Sequence, residues 1–229
     1  MTLPSQCEVC RQWDSAALCG ACSSRFGQAV PRCARCGLRM GLASAACGAC
    51  LREPPPFEST SCVADYSFPW DRLIVAFKFE GRVELADVLA QALHEAVVVQ
   101  TQARGGTVPG LVLPVPLSPQ RLAERGYNQA WELARRVARR LGTRARSDVL
   151  LRPGETAHQA DLSRAERQSN LRRAFMVDPR RRPVVSGLAV ALVDDVMTTG
   201  ATVHEAACVL LRAGAASVQV WVVARTPER

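Results

Sequence analysis

The chain has 229 residues, 48% of them apolar and only 5% aromatic, which is enough for one full core and a small additional domain. Its 29 basic and 21 acidic residues give a formal charge of +8, and Lys78 is the sole lysine. No signal peptide opens the sequence, and the longest apolar stretch, residues 85–99, is interrupted by polar side chains. We therefore expect a soluble, cytoplasmic protein without membrane insertion.

The positive charge is concentrated in residues 121–182. This segment holds 16 arginines and seven acidic residues, a net charge of +9, so the rest of the chain sums to −1. Such a segment favours pyrophosphate, a nucleotide or nucleic acid as a partner. A solvated arginine-rich helix face is the alternative interpretation for any single arginine.

Eight of the ten cysteines form four CxxC pairs in the first fifty residues. Each pair can present two thiolates to one tetrahedral ion, so the pattern predicts two structural zinc sites. Disulfides are disfavoured in a cytoplasmic chain, and iron–sulfur ligation is the other alternative. Sequential pairing of neighbouring knuckles suits two stacked ribbons, and an interleaved pairing is also compatible with the spacing. The predicted metal ligands are Cys7, Cys10, Cys19, Cys22, Cys33, Cys36, Cys47 and Cys50.

Three consecutive prolines at 54–56 mark a stiff, extended segment. We expect a double zinc-ribbon domain at 1–52, a linker at 53–60 and an α/β domain at 61–229. In the α/β domain, the pattern predicts a strand at 61–68 and helices at 70–79 and 83–99. Lys78 lies at the end of the first helix, where a basic residue complements the helix dipole. Because it is the only lysine in the chain, a functional role is also suggested.

The next segments predict alternating strands and helices. A strand at 111–116 leads into a loop at 117–126 rich in basic and turn residues, and Asn128 caps the following helix. Strands near 149–151 and at 175–177, 188–193 and 218–223 complete a βαβ alternation. The polar segment at 152–173 is interpreted as a surface loop, as a helix starting at Ser163, or as a mobile lid over bound phosphates.

Residues 188–202 carry the most specific functional pattern. An unbroken apolar run predicts a strand buried on both faces, which ends at Asp194 and Asp195. A turn rich in threonine and glycine and an amphipathic helix follow, a geometry that points backbone N–H groups and hydroxyls at an anion. Acids beside such a site fit a phosphate ligand that also carries sugar hydroxyls. An ordinary strand–turn–helix corner with solvated acids is the alternative.

This stretch resembles the phosphoribosyl-pyrophosphate (PRPP) signature of type I phosphoribosyltransferases. The resemblance implies that the two acids hold the ribose hydroxyls and that the turn cradles the 5′-phosphate. Purine-salvage relatives usually place an acid that works on the base where this chain has Thr198, so a 6-oxopurine acceptor is disfavoured. The residues matched to PRPP binding are Asp194, Asp195, Val196, Met197, Thr198, Thr199, Gly200, Ala201 and Thr202.

Further motifs extend the resemblance to nearly the whole chain: the four CxxC pairs, PPPF, FKFEGR, LPVPLSPQRLAERGYNQAWELA and LVDDVMTTGAT. In this order they look like the ComF family, phosphoribosyltransferase-like proteins linked with DNA uptake in competent bacteria. The resemblance implies a type I phosphoribosyltransferase fold, a mainly parallel sheet flanked by helices, with a small N-terminal zinc-ribbon domain. It places Lys78, Arg121, Arg125, Gly126, Asn128 and Gln129 near the pyrophosphate, and Arg164, Arg167 and Asn170 on the lid.

The resemblance implies Mg²⁺-dependent transfer of phosphoribose from PRPP to an unknown acceptor, with catalytic roles for Asp194, Asp195, Lys78, Arg121 and Arg125. The alternative is a non-enzymatic factor that keeps the fold and binds single-stranded DNA or competence proteins along the arginine-rich segment. Few aromatic residues are available to stack bases, which weighs against a dedicated single-strand platform. A sensor that binds PRPP or a nucleotide without turnover is the third interpretation.

Overall fold

A computed structural model describes residues 5–41, 46–153 and 174–227. The strands are β1 (Ser5–Gln6), β2 (Trp13–Asp14), β3 (Ser59–Asp65), β4 (Leu111–Pro114), β5 (Arg144–Ala145), β6 (Leu150–Leu151), β7 (Met176–Val177), β8 (Ala189–Met197) and β9 (Ser217–Arg225). The helices are α1 (Gly20–Phe26), α2 (Gly48–Arg52), α3 (Trp70–Phe79), α4 (Leu85–Ala103), α5 (Pro119–Arg125), α6 (Gln129–Leu141), α7 (Arg182–Val185) and α8 (Ala201–Arg212). A 3₁₀ turn at Pro179–Arg181 precedes α7.

The central sheet has the strand order β3-β9-β8-β4-β5, and every pairing in it is parallel. Residues of β8 alternate between two cores: Ala191 and Val193 pack with α4 and α6, whereas Val190 and Leu192 pack with α8. The unbroken apolar run in β8 therefore reflects burial on both faces, as predicted. The α/β class, the parallel sheet and its flanking helices are confirmed.

Three local predictions are wrong. The segment 117–126 contains α5, which begins after Ser118, whose hydroxyl accepts a hydrogen bond from the Arg121 N–H, and ends at Gly126 with φ of +76°. Strands β6 and β7 form a separate antiparallel pair, and the short β5 takes the edge position in the main sheet. Finally, β8 does not end at the two acids but continues through them to Met197.

The N-terminal segment with the first four cysteines packs against the α/β core. Cys7, Cys19 and Cys22 belong to the same buried cluster as residues of α3 and α4. The Trp70 indole N–H donates to the Phe26 carbonyl at 2.9 Å, and the Arg82 Nη2 lies 2.7 Å from Glu8 Oε1. The domain limits 1–52, 53–60 and 61–229 stay a prediction.

The segment with the other four cysteines lies against the edge strand β3. The Thr60 N–H donates to the Ala34 carbonyl at 2.9 Å, and the Thr60 hydroxyl donates to the Arg35 carbonyl at 2.6 Å. Arg32 and Arg39 both pair with Asp65 at the end of β3. These contacts cover part of a strand whose free edge would otherwise be open to pairing with another chain.

None of the helices within the described ranges combines the length and the apolar character that crossing a bilayer requires.

We expect Gly37→Ala to destabilise the protein more than Gly142→Ala. The two glycines have similar φ values, +71° and +67°, so both changes carry a left-handed strain of about 1–2 kcal/mol. A Cβ at Gly37 would lie 2.9 Å from Cγ2 of Thr60, whereas at Gly142 nothing lies within 4 Å. Denaturant titration of the metal-loaded variants measures both free energies of unfolding. Equal losses would contradict the close packing of the cysteine segment on β3.

Candidate functional site

The carboxyl end of β8 leads into a turn that opens α8. Thr198 and Thr199 are exposed, and Gly200, with φ of +85°, stands immediately before the helix. The Thr199 hydroxyl accepts a hydrogen bond from the Ala201 N–H at 3.3 Å. The first N–H groups of a helix have no intrahelical acceptor and carry the positive end of its dipole, so this turn can bind an anion.

Beside this turn lies a cavity of about 140 Å³, which is lined by residues from distant parts of the chain. Nine predicted site residues line it: Lys78, Arg121, Arg125, Asn128, Gln129, Asp194, Asp195, Val196 and Thr202. The cavity is also lined by Val115, Pro116, Leu117, Ala130 and Arg152, which the sequence patterns did not single out. The predicted strand at 111–116 could have indicated Val115 and Pro116 as site residues, because the loops after parallel strands build such sites.

The other predicted residues fall into two groups. Gly126, Met197, Thr198, Thr199, Gly200 and Ala201 do not line the cavity. Among them, Met197 is 2% exposed and packs in the core beneath α8, so its side chain supports the turn from below. Arg164, Arg167 and Asn170, with the proposed lid, lie outside the described residues.

Lys78 and Asp195 form an ion pair across the cavity. The Lys78 Nζ lies 2.7 Å from Asp195 Oδ1, and Asp195 is only 4% exposed. Lys78 reaches it from the last turn of α3, so its position at the helix end serves a specific contact as well as the dipole. A buried carboxylate requires such a partner, because an unpaired charge in the interior is costly.

Asp194, the neighbour of this pair, has a pKa well above the ordinary range of a carboxyl group. Burial and the negative charge of Asp195 raise the pKa of Asp194 to about 8, although Lys78 and the Asp195 N–H oppose the rise. The Asp195 N–H donates to Asp194 Oδ1 at 2.9 Å. A raised pKa of Asp194 lowers the negative charge that the acid pair presents to phosphates nearby.

The elbow between α5 and α6 forms the basic side of the cavity. Asn128 caps α6 through a hydrogen bond from the Trp131 N–H at 3.3 Å, and its own amide donates to the Val115 carbonyl at 3.1 Å. The Arg125 Nη1 donates to Gln129 Oε1 at 3.0 Å. Gln129 is 1% exposed, and its Nε2 has no hydrogen-bond partner within the described ranges. A buried amide donor without a partner is available to an acceptor on a ligand.

The arginines of α6 are partly neutralised within the protein. Arg135 and Arg136 pair with Glu132, and Arg136 and Arg140 pair with Asp87 of α4. Arg136 and Arg140 therefore join α6 to α4, whereas Arg135 is paired within its own helix. The exposed Arg121 lies at the cavity instead, where it faces a candidate ligand.

The eight CxxC cysteines form two separate four-thiol clusters. Each cluster contains two sequential pairs, and its four Sγ atoms lie within 4.8 Å of one another. The Cys10–Cys19 and Cys36–Cys47 Sγ separations are both 3.7 Å. A tetrahedral zinc–thiolate site with bonds of 2.3 Å has edges of about 3.8 Å. The sequential pairing is thus observed, and both clusters fit a tetrahedral zinc ion.

Backbone N–H groups prepare these thiols for a metal. The N–H groups of Cys36 and Cys47 donate to the Cys33 Sγ at 3.5 and 3.2 Å. Although burial opposes ionisation, such bonds lower the pKa of Cys33 to about 7 and that of Cys7 to about 6. Thiolates are the form that binds metal, so these backbone donors favour ligation by Cys7 and Cys33.

A family model described as the phosphoribosyl transferase domain matches residues 128–229. The solved glutamine PRPP amidotransferase from B. subtilis is similar over 59% of this chain and 25% of that chain, with 20% identity and a TM-score of 0.40. With the parallel sheet and the strand–turn–helix site, the family match defines the C-terminal part as a type I phosphoribosyltransferase domain, preceded by two four-cysteine clusters.

Two relatives extend the match over the whole chain. The DNA utilization protein YhgH of Salmonella typhi is 39% identical over 232 residues, which cover 99% of both chains. Competence protein F of Haemophilus influenzae is 33% identical over 91% of this chain and 90% of its own length. The chain belongs to the ComF family.

We expect Asp194→Asn to stabilise the protein increasingly as the pH rises from about 5 to 8. The folded state holds the Asp194 proton up to a pKa of about 8, far above the ordinary value of 3.8. Between these values the folded protein binds more protons than the unfolded chain, so the wild-type free energy of unfolding falls with rising pH. Asparagine does not titrate. At pH 8 the variant should be more stable by about 1 kcal/mol or more, because one pKa unit corresponds to about 1.4 kcal/mol.

Denaturant unfolding at four pH values between 5 and 8 measures this difference. Asp71→Asn, on the first turn of α3 and away from the cavity lining, is the matched control and should differ from wild type by a constant amount. If wild type and Asp194→Asn gave parallel curves, Asp194 would not hold its proton in the folded state.

Proposed function

We propose that the protein binds PRPP with Mg²⁺ at the carboxyl end of β8 and transfers the phosphoribosyl group to an acceptor, releasing pyrophosphate. The observation that carries the proposal is the convergence of three kinds of group on one place: paired carboxylates, several basic side chains and a turn at a helix N-terminus. PRPP carries sugar hydroxyls, a pyrophosphate and a 5′-phosphate, and it is suited to all three.

In this proposal the two acids bind the sugar and the turn binds the 5′-phosphate. Asp194 and Asp195 accept hydrogen bonds from the ribose hydroxyls, since carboxylate oxygens are strong acceptors. Thr198, Thr199 and Thr202 supply hydroxyls, and the first N–H groups of α8 supply further donors. Their spacing along one strand and one turn, at residues 194–202, suits a ribose with its 5′-phosphate.

The pyrophosphate occupies the basic side of the cavity. Lys78, Arg121 and Arg125 supply positive charge there, and the Gln129 Nε2 supplies a donor that has no other described partner. Gly126 and Asn128 act by shaping the elbow that carries these groups. Arg164, Arg167 and Asn170 retain their proposed role on the lid.

Transfer breaks the bond between C1 of the ribose and the pyrophosphate oxygen and forms a bond from C1 to the acceptor. Negative charge therefore develops on the departing pyrophosphate, and the cationic side chains stabilise it. Mg²⁺, when bound with PRPP, would neutralise further phosphate charge. The remaining contribution of the chain is positioning: Asp194 and Asp195 at one end and the basic groups at the other hold C1 between them.

We also propose that each cysteine cluster holds one structural zinc ion. Four thiolates complete a tetrahedral shell, which leaves no open position for catalysis at the metal. Few large apolar side chains lie in the second cluster's own small core, so metal binding is its main source of stability.

The names of the relatives refer to competence and DNA utilization, and we propose that this chain also works in the cytoplasm on DNA taken up by the cell. Single-stranded DNA and competence proteins are the candidate partners. The arginines of α6 that join α4 through ion pairs support such an interface less than a count along the sequence suggests. Phosphoribosyl transfer is therefore the better-supported activity.

We expect PRPP to bind the zinc-loaded protein in the presence of Mg²⁺ and to bind an Asp194→Asn/Asp195→Asn double variant at least tenfold more weakly. The variant loses the Asp195 carboxylate and the Asp194 carboxyl as acceptors for the ribose, and a hydrogen bond to a charged group contributes about 1.5–3 kcal/mol. Isothermal titration calorimetry measures the dissociation constants. Asp71→Asn is the control and should match wild type.

A parallel titration with single-stranded DNA separates the two activities. Binding through arginines should weaken steeply with salt and should be unchanged in the double variant. If wild type bound DNA but gave no heat with PRPP, the transferase proposal would fail and the nucleic-acid function would replace it.

A further inference from the structure

We infer that Arg225 is a positioning residue that joins the second cysteine cluster to the phosphate turn. The second cluster is the one formed by Cys33, Cys36, Cys47 and Cys50, and the phosphate turn comprises residues 197–202. The inference deepens the proposed function, because it explains how a closed metal site remote from the chemistry contributes to ligand binding. The structural link itself stands independently of which ligand occupies the turn.

Arg225 is the last residue of β9 and lies between the two regions. In the sheet register it stands opposite Met197 of β8 on one side and Asp65 of β3 on the other. Arg225 is buried, with 7% of its surface exposed. The guanidinium Nε donates to the Cys36 carbonyl at 3.2 Å, and Nη1 donates to the carbonyls of Met197 at 3.3 Å, of Thr226 at 2.8 Å and of Thr198.

The two turn carbonyls determine which way the turn N–H groups point. A trans peptide is planar, and its C=O and N–H point in opposite directions. Because the carbonyls of Met197 and Thr198 face the Arg225 guanidinium, the N–H groups of Thr198 and Thr199 are directed away from it. Arg225 thereby pre-orients the Thr199 N–H before any ligand arrives, whereas the Met197 carbonyl is also held by the Thr226 N–H at 3.0 Å.

The cluster end of this link is firmly held. Asp65, the register neighbour of Arg225, pairs with Arg32 at 2.7 Å and with Arg39 at 3.3 Å. Arg32 also donates to the Gly37 carbonyl at 3.1 Å, and the Thr60 hydroxyl holds the Arg35 carbonyl. The Cys36 carbonyl is thus fixed from both sides of the knuckle, and it provides a rigid support for the guanidinium.

The positive charge of Arg225 explains why a metal site is a suitable support for its side chain. No ion pair between described residues includes Arg225, whose contacts are to carbonyl oxygens. A buried guanidinium without an anionic partner is unfavourable. Four thiolates around a divalent ion would carry a net charge of −2, and the Cys36 carbonyl that Arg225 Nε contacts at 3.2 Å belongs to one of these four residues. A loaded cluster would therefore help to compensate the cation that orients the turn.

The decisive test compares two fragments of PRPP on the zinc-loaded protein. Ribose 5-phosphate uses the phosphate turn, whereas inorganic pyrophosphate uses the basic side of the cavity, which Arg225 does not contact. We expect Arg225→Met to weaken ribose 5-phosphate binding by about tenfold or more and to leave pyrophosphate binding within about twofold. Arg225→Lys keeps the charge but lacks the planar fork that reaches several carbonyls, so it should rescue only part of the loss.

Arg104→Met is the matched control, because it removes another arginine that donates to a backbone carbonyl, that of Thr60, but bonds neither the cysteine knuckle nor the turn. We expect it to lower thermal stability and to keep the ratio of the two affinities within about twofold of wild type. If Arg225→Met weakened both ligands alike, or neither, the inference would be wrong.

Amide hydrogen exchange tests the same link without a ligand. In Arg225→Met, and in wild type stripped of metal by a chelator, peptides covering residues 197–202 should exchange faster than in the loaded wild type, while peptides from α6 should not. Unchanged exchange in the turn would overturn the inference even if Arg225→Met did not fold, because the chelated wild type carries the comparison. A wild type that binds neither fragment would defeat the proposed function, whereas the exchange experiment would still decide the role of Arg225.

Discussion

The structure depends on one constraint: two adjacent carboxyl groups lie at the end of the central strand, in a place where neither can remain charged alone. Lys78 pairs with Asp195 at 2.7 Å, and burial beside Asp195 raises the pKa of Asp194. To make that contact, α3 must lie over the carboxyl ends of the strands, and the β4–α6 connection then completes the cavity with arginines. A fold arranged around an acid pair and a basic rim is suited to a ligand that carries both hydroxyls and phosphates.

The cysteine clusters belong to this arrangement rather than to a separate appendage. The first shares a buried core with α3 and α4, and Glu8 between its cysteines pairs with Arg82, four residues beyond Lys78. The second lies on β3 and reaches the phosphate turn through Arg225. Each cluster is thus connected to one end of the candidate site. We propose that metal binding at these clusters, besides stabilising the fold, supports the geometry of the site.

The sequence predicts the features that arise from local pattern and misses those that arise from pairing across the chain. The apolar run of β8, the acid pair and the CxxC spacing each carry their meaning within a few residues, and the parallel sheet and sequential clusters agree with them. Helix α5 was also signalled locally, by Ser118, Pro119 and Gly126, but the basic residues between them favoured a loop. The sequence around Arg225 does not indicate its role, because its partners Met197 and Cys36 lie 28 and 189 residues away along the chain.

The most direct test of this binding site is a crystal structure of the zinc-loaded protein grown with PRPP and Mg²⁺. We expect a 5′-phosphate within hydrogen-bond distance of the backbone N–H groups of Thr198 and Thr199, ribose hydroxyls on Asp194 and Asp195, and pyrophosphate beside Arg121 and Arg125. An empty turn at saturating PRPP, or a ligand bound with its phosphates at another surface, would contradict it.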